Sequence, residues 1–138
     1  MAEVEIKLKR LNNCKFEATN ADGNTAIIDG PPSLGGQGEG VRPMEMVLMG
    51  LAGCSSMDLL LILGKQRQNP EDIDVTIKGT RVDAVPAVYS DIHMHFEVSG
   101  EVAEKKLQKA VELSVEKYCS VVKMLEPTVN ITHSCKVV

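Results

Sequence analysis

The feature that most constrains the fold is a long apolar stretch in the first half of the chain. From Met44 to Leu63 the side chains are apolar or very small on nearly all sides, and Pro43 stands directly before them. Proline favours the first turn of a helix, so the pattern predicts a helix that begins here and ends before the Asn-Pro pair at 69 and 70. A helix that lacks a polar face has to be covered on every side. The sequence therefore predicts a central, buried helix around which the other elements pack.

Strands are predicted on both sides of this helix. Within residues 3–29 apolar and charged residues alternate, and the turn sequence NADGN predicts a hairpin of KFEAT with TAIID. Residues 30–42 are rich in glycine and proline but lack the Gly-Lys-Ser/Thr end of a phosphate loop, so they are interpreted as a connector. Residues 72–85 and 89–100 are predicted as two further strands. The second of these carries apolar side chains on one face: Ile92, Met94, Phe96 and Val98.

A second long helix is predicted from about Glu101 to Met124, and the sequence TVNITHSCKVV after it is predicted as a last strand. Apolar side chains at helical spacing mark the inward face of this helix: Leu107, Val111, Val115 and Val122. The order of strands, helix, strands, helix and strand is typical of an α+β domain. With 138 residues, the chain suits a single domain over 1–138 with one core.

Composition excludes several functional classes. The net charge is −4 and the lysines are mixed with glutamates, so no nucleic-acid surface is expected. The N-terminus has no apolar signal core, and the run from Met57 to Leu63 is too short to cross a bilayer, which predicts a cytoplasmic protein without membrane contact. The four cysteines are then expected to be thiols, and no pair has zinc-site spacing. His93 and His95 alternate on one strand without a third ligand in register, so neither a metal nor a cofactor is predicted.

Two cysteines are predicted to face the core, one from each long helix. Cys54 is flanked by very small residues that leave room beside its sulfur, and Cys119 lies on the inward face of its helix. If Gly53 breaks the helix, Ser55 caps a new segment, and its positive end favours the Cys54 thiolate. A thiolate that attacks a peroxide becomes a sulfenic acid, which a second cysteine converts to a disulfide. Cysteines that only fill space in a core remain the alternative.

The two cysteine motifs, PMEMVLMGLAGCSSMDLLLIL and EKYCSVV, resemble those of the OsmC/Ohr family, the osmotically inducible protein C and organic hydroperoxide resistance proteins. The resemblance covers essentially the whole chain. It implies antiparallel sheets around two long central helices and an intertwined homodimer with two sites at the subunit interface. It further implies a thiol-dependent peroxidase that reduces organic hydroperoxides, with Cys54 as the peroxidatic and Cys119 as the resolving cysteine. A dithiol would restore the thiols, and no metal or bound cofactor would be needed.

Two positions depart from the family pattern. The Ohr branch carries a glutamate directly after the helix-opening proline, where this chain has Met44, and Glu45 follows about 100° further around the helix. The family also carries an arginine in the N-terminal hairpin near the turn, and this chain has none there. Arginines elsewhere that remain candidates are Arg42, Arg67 and Arg81. Arg42 is preferred for stabilising the Cys54 thiolate, with Glu45 as its neighbour in the site. A redox-sensing or apolar-ligand-binding dimer without efficient turnover is the alternative function.

Overall fold

The computed structural model describes all residues from Met1 to Val138 and contains two compact units, Met1–Val47 and Leu48–Val138. Each unit has its own three-stranded sheet. The predicted α+β class is confirmed. The expectation of one domain over 1–138 stays a prediction.

The N-terminal unit contains a meander of three antiparallel strands. In spatial order they are β1 (Lys7–Asn12), β2 (Lys15–Thr19) and β3 (Thr25–Ile28). The predicted hairpin of KFEAT with TAIID is confirmed, with Phe16 opposite Ile28. Its turn is held by Asn20, whose side-chain oxygen accepts the backbone N–H groups of Asp22 (3.1 Å) and Asn24 (2.8 Å).

A single buried carboxylate organises the glycine- and proline-rich segment after β3. Asp29 accepts the backbone N–H groups of Gly30 (2.8 Å), Gln37 (3.0 Å) and Glu39 (3.2 Å). The Cys14 thiol donates to the same carboxylate at 3.5 Å. These bonds, first among them the one from Gln37, lower the pKa of Asp29 although desolvation opposes them. The segment is therefore an ordered connector, and it includes a 3₁₀ turn at Pro32–Leu34.

The long apolar helix is present as α1 (Pro43–Lys65) and begins at the expected proline. Within one chain it buries a single face, formed by residues four positions apart: Leu51, Ser55, Leu59 and Leu63. Other side chains of α1 are apolar and exposed: Met49, Met57, Leu60 and Leu61. By length and composition alone this helix is able to cross a membrane, a test that core helices of soluble proteins also pass. The cover predicted for all sides of α1 is thus not supplied by one chain.

The C-terminal unit is built on a mixed sheet. In spatial order its strands are β4 (Asn69–Arg81), β5 (Tyr89–Glu101) and β6 (Asn130–Val137). β4 and β5 are antiparallel, whereas β5 and β6 are parallel, with Phe96 opposite Cys135. The expectation of antiparallel sheets is wrong for this second pair, because the chain returns to the sheet through helices, a crossover that makes the two strands parallel. The predicted apolar row on β5 is confirmed as buried: Ile92, Met94, Phe96 and Val98.

The second predicted helix is broken. In its place stand α2 (Glu104–Leu113), a π turn (Ser114–Tyr118) and α3 (Ser120–Leu125). Cys119 has an extended backbone (φ −67°, ψ 112°), which interrupts the helical ladder. The predicted inward positions are nevertheless buried: Leu107, Val111, Val115 and Val122. The expectation of two long central helices is therefore wrong for this segment. The sequence pattern did not reveal the break, because the apolar spacing continues across it.

Candidate active site

Cys54 and Cys119 lie next to each other in the C-terminal unit. Their sulfur atoms and a carboxylate oxygen of Asp58 all lie within 4.8 Å of one another. Both cysteines are free thiols, with Cys54 half-buried and Cys119 fully buried. A disulfide bond is about 2 Å long, so rotamer changes and small backbone shifts separate this arrangement from a bonded pair.

The helix runs without a break past Cys54. The expected kink at Gly53 and the expected cap at Ser55 are wrong, because the Ser55 hydroxyl donates back to the carbonyl oxygens of Leu51 (2.9 Å) and Ala52 (3.2 Å). A glycine costs a helix only about 1 kcal/mol, less than burying the neighbouring leucines contributes. Cys54 is therefore inside a helix, and α1 has no free N-terminal end beside this sulfur that could stabilise a thiolate.

Cys119, in contrast, stands at the N-cap of α3. Its backbone N–H donates to the Ser114 carbonyl oxygen (2.8 Å), which closes the π turn. The buried Ser114 hydroxyl in turn donates to the Ser55 carbonyl oxygen (2.8 Å). Ser114 therefore connects the helix that carries Cys54 to the backbone of Cys119. π turns are rare and occur often at functional sites.

Burial raises the pKa of the Cys119 thiol from 9.0 to about 11. The neighbouring Cys54 acts in the same direction, whereas the backbone N–H groups of Val122 and Val121 oppose the rise. A buried thiolate loses its hydration, so burial favours the neutral thiol. At pH 7 Cys119 is therefore almost entirely protonated, and Cys54 is the more accessible of the two sulfurs.

Asp58 is the residue of this cluster that the sequence analysis missed. Because α1 is continuous, Asp58 lies about one turn after Cys54 on the same face. Its Oδ2 atom is buried and has no hydrogen-bond partner. The spacing of four residues from Cys54 is the signal that could have identified it, and the expected break of the helix at Gly53 concealed that signal.

Asp58 also lines a cavity of about 320 Å³ in the C-terminal unit. The other residues around this cavity are Leu61, Ile62, Lys65, Gln66, Leu113 and Tyr118. Its walls are mostly apolar, with charged and polar groups at a few points. The cavity has room for a small organic molecule and adjoins the sulfur–carboxylate cluster through Asp58, although neither cysteine lines it.

Arg42 and Glu45 lie at the start of α1, in the N-terminal unit, and both side chains are exposed. The Arg42 backbone N–H donates to Glu45 Oε1 (2.8 Å). In a capping box the side chain of the third helical residue accepts this bond from the residue that precedes the helix. Glu45 thus has a local role in starting the helix. The roles of both residues beside Cys54 stay predictions.

The two histidines on β5 have ordinary hydrogen-bond partners. The ring nitrogens of His93 lie 2.7 Å from Thr132 Oγ1 and 3.0 Å from Ser134 Oγ. Those of His95 lie 2.7 Å from Ser134 Oγ and 3.2 Å from Glu97 Oε2. These bonds account for both imidazoles as polar side chains on the surface of the sheet.

A second, more open cavity lies away from the cysteines. An open groove of about 760 Å³ is lined by residues of the π turn, α3 and β6, among them Glu116 and His133. No cysteine lines it. The reactive side chains, rather than cavity volume, therefore identify the candidate active site.

Comparisons with known proteins agree with the fold. A family model described as OsmC-like protein matches residues 36–134. Protein YhfA of Escherichia coli (strain K12) is 38% identical over 136 residues, which cover 98% of each chain. A hypothetical protein from Aquifex aeolicus has a TM-score of 0.88 and 34% identity over 100% of this chain and 98% of its own. An organic hydroperoxide resistance protein OsmC from Legionella pneumophila shares the fold with a TM-score of 0.76 and 18% identity, over 99% and 98% of the two chains.

Proposed function

The chain belongs to the OsmC-like family, and from that premise we propose that it is a thiol-dependent peroxidase that reduces organic hydroperoxides. The observation that carries the proposal is the placement of the Cys54 and Cys119 sulfur atoms within 4.8 Å of each other. Two free thiols at this distance support a redox cycle that passes through a disulfide. The family likeness extends to proteins named for organic hydroperoxide resistance, which supports this substrate class.

In the first step of the proposed reaction, the Cys54 thiolate attacks one oxygen of the hydroperoxide. An S–O bond forms, the O–O bond breaks, and the alkoxide takes up a proton and leaves as an alcohol, so Cys54 becomes a sulfenic acid. In the second step, the Cys119 sulfur attacks the Cys54 sulfur, and hydroxide leaves with the Cys119 proton as water. A dithiol then reduces the disulfide by thiol–disulfide exchange and restores both thiols.

Differences in burial support the order of the two cysteines. Cys54 is half-buried, whereas Cys119 is fully buried and its pKa is raised to about 11. A peroxide from solution meets the exposed sulfur first, and a neutral thiol reacts poorly with it because the thiolate is the nucleophile. Cys54 is therefore the peroxidatic residue and Cys119 the resolving residue.

The cavity beside Asp58 supports an organic rather than an inorganic peroxide. Its volume of about 320 Å³ exceeds what hydrogen peroxide needs, and Leu61, Ile62 and Leu113 make its walls largely apolar. An alkyl or aryl group gains about 25 cal/mol for each Å² of apolar surface that it buries there.

The exposed apolar side chains of α1 support a homodimer. Met57 and Leu61 are 72% and 60% exposed within one chain. Apolar surface of this kind marks an interface in soluble proteins, and a second copy of the same helix would cover it. Sedimentation of the purified protein measures the assembly directly.

The test of the peroxidase uses the reduced protein with cumene hydroperoxide, a dithiol and a chelator. Repeated turnover is expected for the wild type and for Cys135→Ser, a matched control in which another half-buried cysteine is removed. Cys54→Ser should abolish turnover, and Cys119→Ser should form no disulfide within the chain and leave the Cys54 sulfenic acid open to over-oxidation. Turnover that survives in Cys54→Ser would contradict the mechanism.

A redox sensor of the same fold is the second candidate. The raised pKa of Cys119 slows resolution at neutral pH, and a carboxyl group, that of Asp58, lies with the two sulfurs. Oxidation of one pair per chain without further peroxide consumption would support the sensor against the peroxidase.

A further inference from the structure

The three side chains that meet at the candidate site have the chemistry of a metal site. We propose that Cys54, Cys119 and Asp58 of the reduced protein together bind one thiophilic divalent cation of the zinc class, and that this cation blocks the redox cycle. The binding site depends only on the reduced side chains, while the inhibitory effect rests on the proposed peroxidase function.

The distances suit tetrahedral coordination. Zinc lies about 2.3 Å from a thiolate sulfur and about 2.0–2.2 Å from a carboxylate oxygen, which places two sulfur ligands about 3.8 Å apart. The two sulfur atoms and the Asp58 oxygen lie within 4.8 Å of one another without any rearrangement. Closing the set around one ion therefore takes shifts of about 1 Å or less at each side chain.

One side-chain oxygen of Asp58 has no hydrogen-bond partner within the protein, and the same holds for one of Gln66 on the same cavity. The Oδ2 atom of Asp58 is buried and accepts no hydrogen bond. A buried polar atom without a partner costs free energy, because it loses its hydrogen bonds to water, so native proteins rarely leave one unsatisfied. A cation held by Asp58 and the two thiolates removes this cost.

The donor set selects the kind of ion. Thiolate sulfur is a soft ligand that prefers zinc and related ions, whereas magnesium and calcium require mostly oxygen ligands. Two of the ligands, Cys54 and Asp58, project from one face of α1, and Cys119 comes from the start of α3. Three protein ligands leave a fourth position for water, and one of them, Asp58, lines a cavity.

Metal binding and peroxide reduction exclude each other at this site. Binding displaces the protons of both thiols, so that two protons are released for each ion bound. Each bound sulfur shares an electron pair with the cation, which lowers its nucleophilicity toward the peroxide and toward the other sulfur, and the disulfide has no thiolate to offer the metal. The ion therefore protects the reduced pair and inhibits turnover at the same time.

The experiment titrates chelator-treated, fully reduced protein with Co²⁺, which reports thiolate ligation by a charge-transfer absorption band, and then displaces it with Zn²⁺. One cobalt per chain is expected, together with release of two protons. Asp58→Asn and Cys119→Ser are expected to weaken binding at least about tenfold. The controls Asp74→Asn, an exposed carboxylate on β4, and Cys135→Ser should bind as the wild type does.

The oxidised wild type provides a test that needs no substitution, since its disulfide should bind no cobalt. Absence of the charge-transfer band, or equal binding by the wild type and Asp58→Asn, would overturn the proposed site. Turnover that, in a parallel assay without the chelator, is unchanged at saturating free Zn²⁺ would overturn the inhibition. Because binding is measured without peroxide and turnover with a chelator, cobalt binding by a protein without turnover refutes the peroxidase and leaves the site established.

Discussion

The pH dependence of disulfide formation tests the assignment of Cys119 most directly. Burial raises the pKa of Cys119 from 9.0 to about 11, and the thiolate is the form that attacks the Cys54 sulfenic acid. At pH 7 the thiolate fraction is about one in ten thousand, against about one in a hundred for an unperturbed thiol. The resolution step should therefore be slow at neutral pH and rise about tenfold with each pH unit until it levels off near pH 11.

The interval between pH 9 and pH 10 distinguishes a buried Cys119 thiol from an ordinary thiol most sharply. An ordinary thiol gains less than about twofold in thiolate over this interval, because it is already half ionised, whereas Cys119 gains about tenfold. With peroxide in excess, oxidation of Cys54 is fast, and the following step no longer depends on peroxide concentration. Quenched samples analysed by mass spectrometry separate the sulfenic acid from the disulfide and from over-oxidised Cys54.

The pH dependence of Cys54 over-oxidation provides a second test of the raised Cys119 pKa. Over-oxidation of Cys54 should be greatest at low pH, where Cys119 fails to intercept the sulfenic acid, and Cys119→Ala should over-oxidise at every pH. A resolution rate that levels off near pH 9 would refute the effect of burial on Cys119. A rate independent of pH would refute attack by its thiolate.

Three further predictions concern the supporting structure. Ser114→Ala removes the buried hydrogen bond to the Ser55 carbonyl oxygen of α1, so it should lower the free energy of unfolding by about 1 kcal/mol and slow disulfide formation several-fold. An unchanged rate of disulfide formation would contradict the role of Ser114 in positioning Cys119 relative to Cys54. The pKa of Cys119 is higher in the folded than in the unfolded protein, so its contribution to the free energy of unfolding is complete below pH 9 and is lost toward pH 11. Urea unfolding under reducing conditions should show that the free energy of unfolding falls by about 2–3 kcal/mol over this range, and Cys119→Ala should lack this fall. The pKa of Asp29 is lowered, chiefly by the Gln37 N–H, so its stabilisation is present above about pH 4 and is lost on acidification; hydrogen exchange in residues 30–42 should accelerate there, and Asp29→Asn should remove this dependence.

Much of the fold could be predicted from local pattern. Pro43 marks the start of α1, the NADGN turn marks the first hairpin, and the alternating apolar residues of β5 form a buried face. Each of these features depends on the spacing of residues close together in the chain, where backbone geometry converts spacing into direction. The break before α3 escaped prediction because it leaves that spacing unchanged.

The candidate site depended on sequence and on tertiary packing in different ways. The sequence by itself determined that Cys119 lies on an inward surface, and that Asp58 follows Cys54 by one helical turn once the helix is continuous. Cys54, in contrast, is only half-buried and is not part of the buried face of α1. Only the tertiary structure decided that the two sulfurs meet, because their contact depends on how α1 packs against a segment 65 positions further along. The Ser114 bonds, the π turn and the unpartnered oxygen of Asp58 all arise from that packing. Local periodicity sets where a side chain points, and only the burial of apolar surface between distant segments sets what it points at.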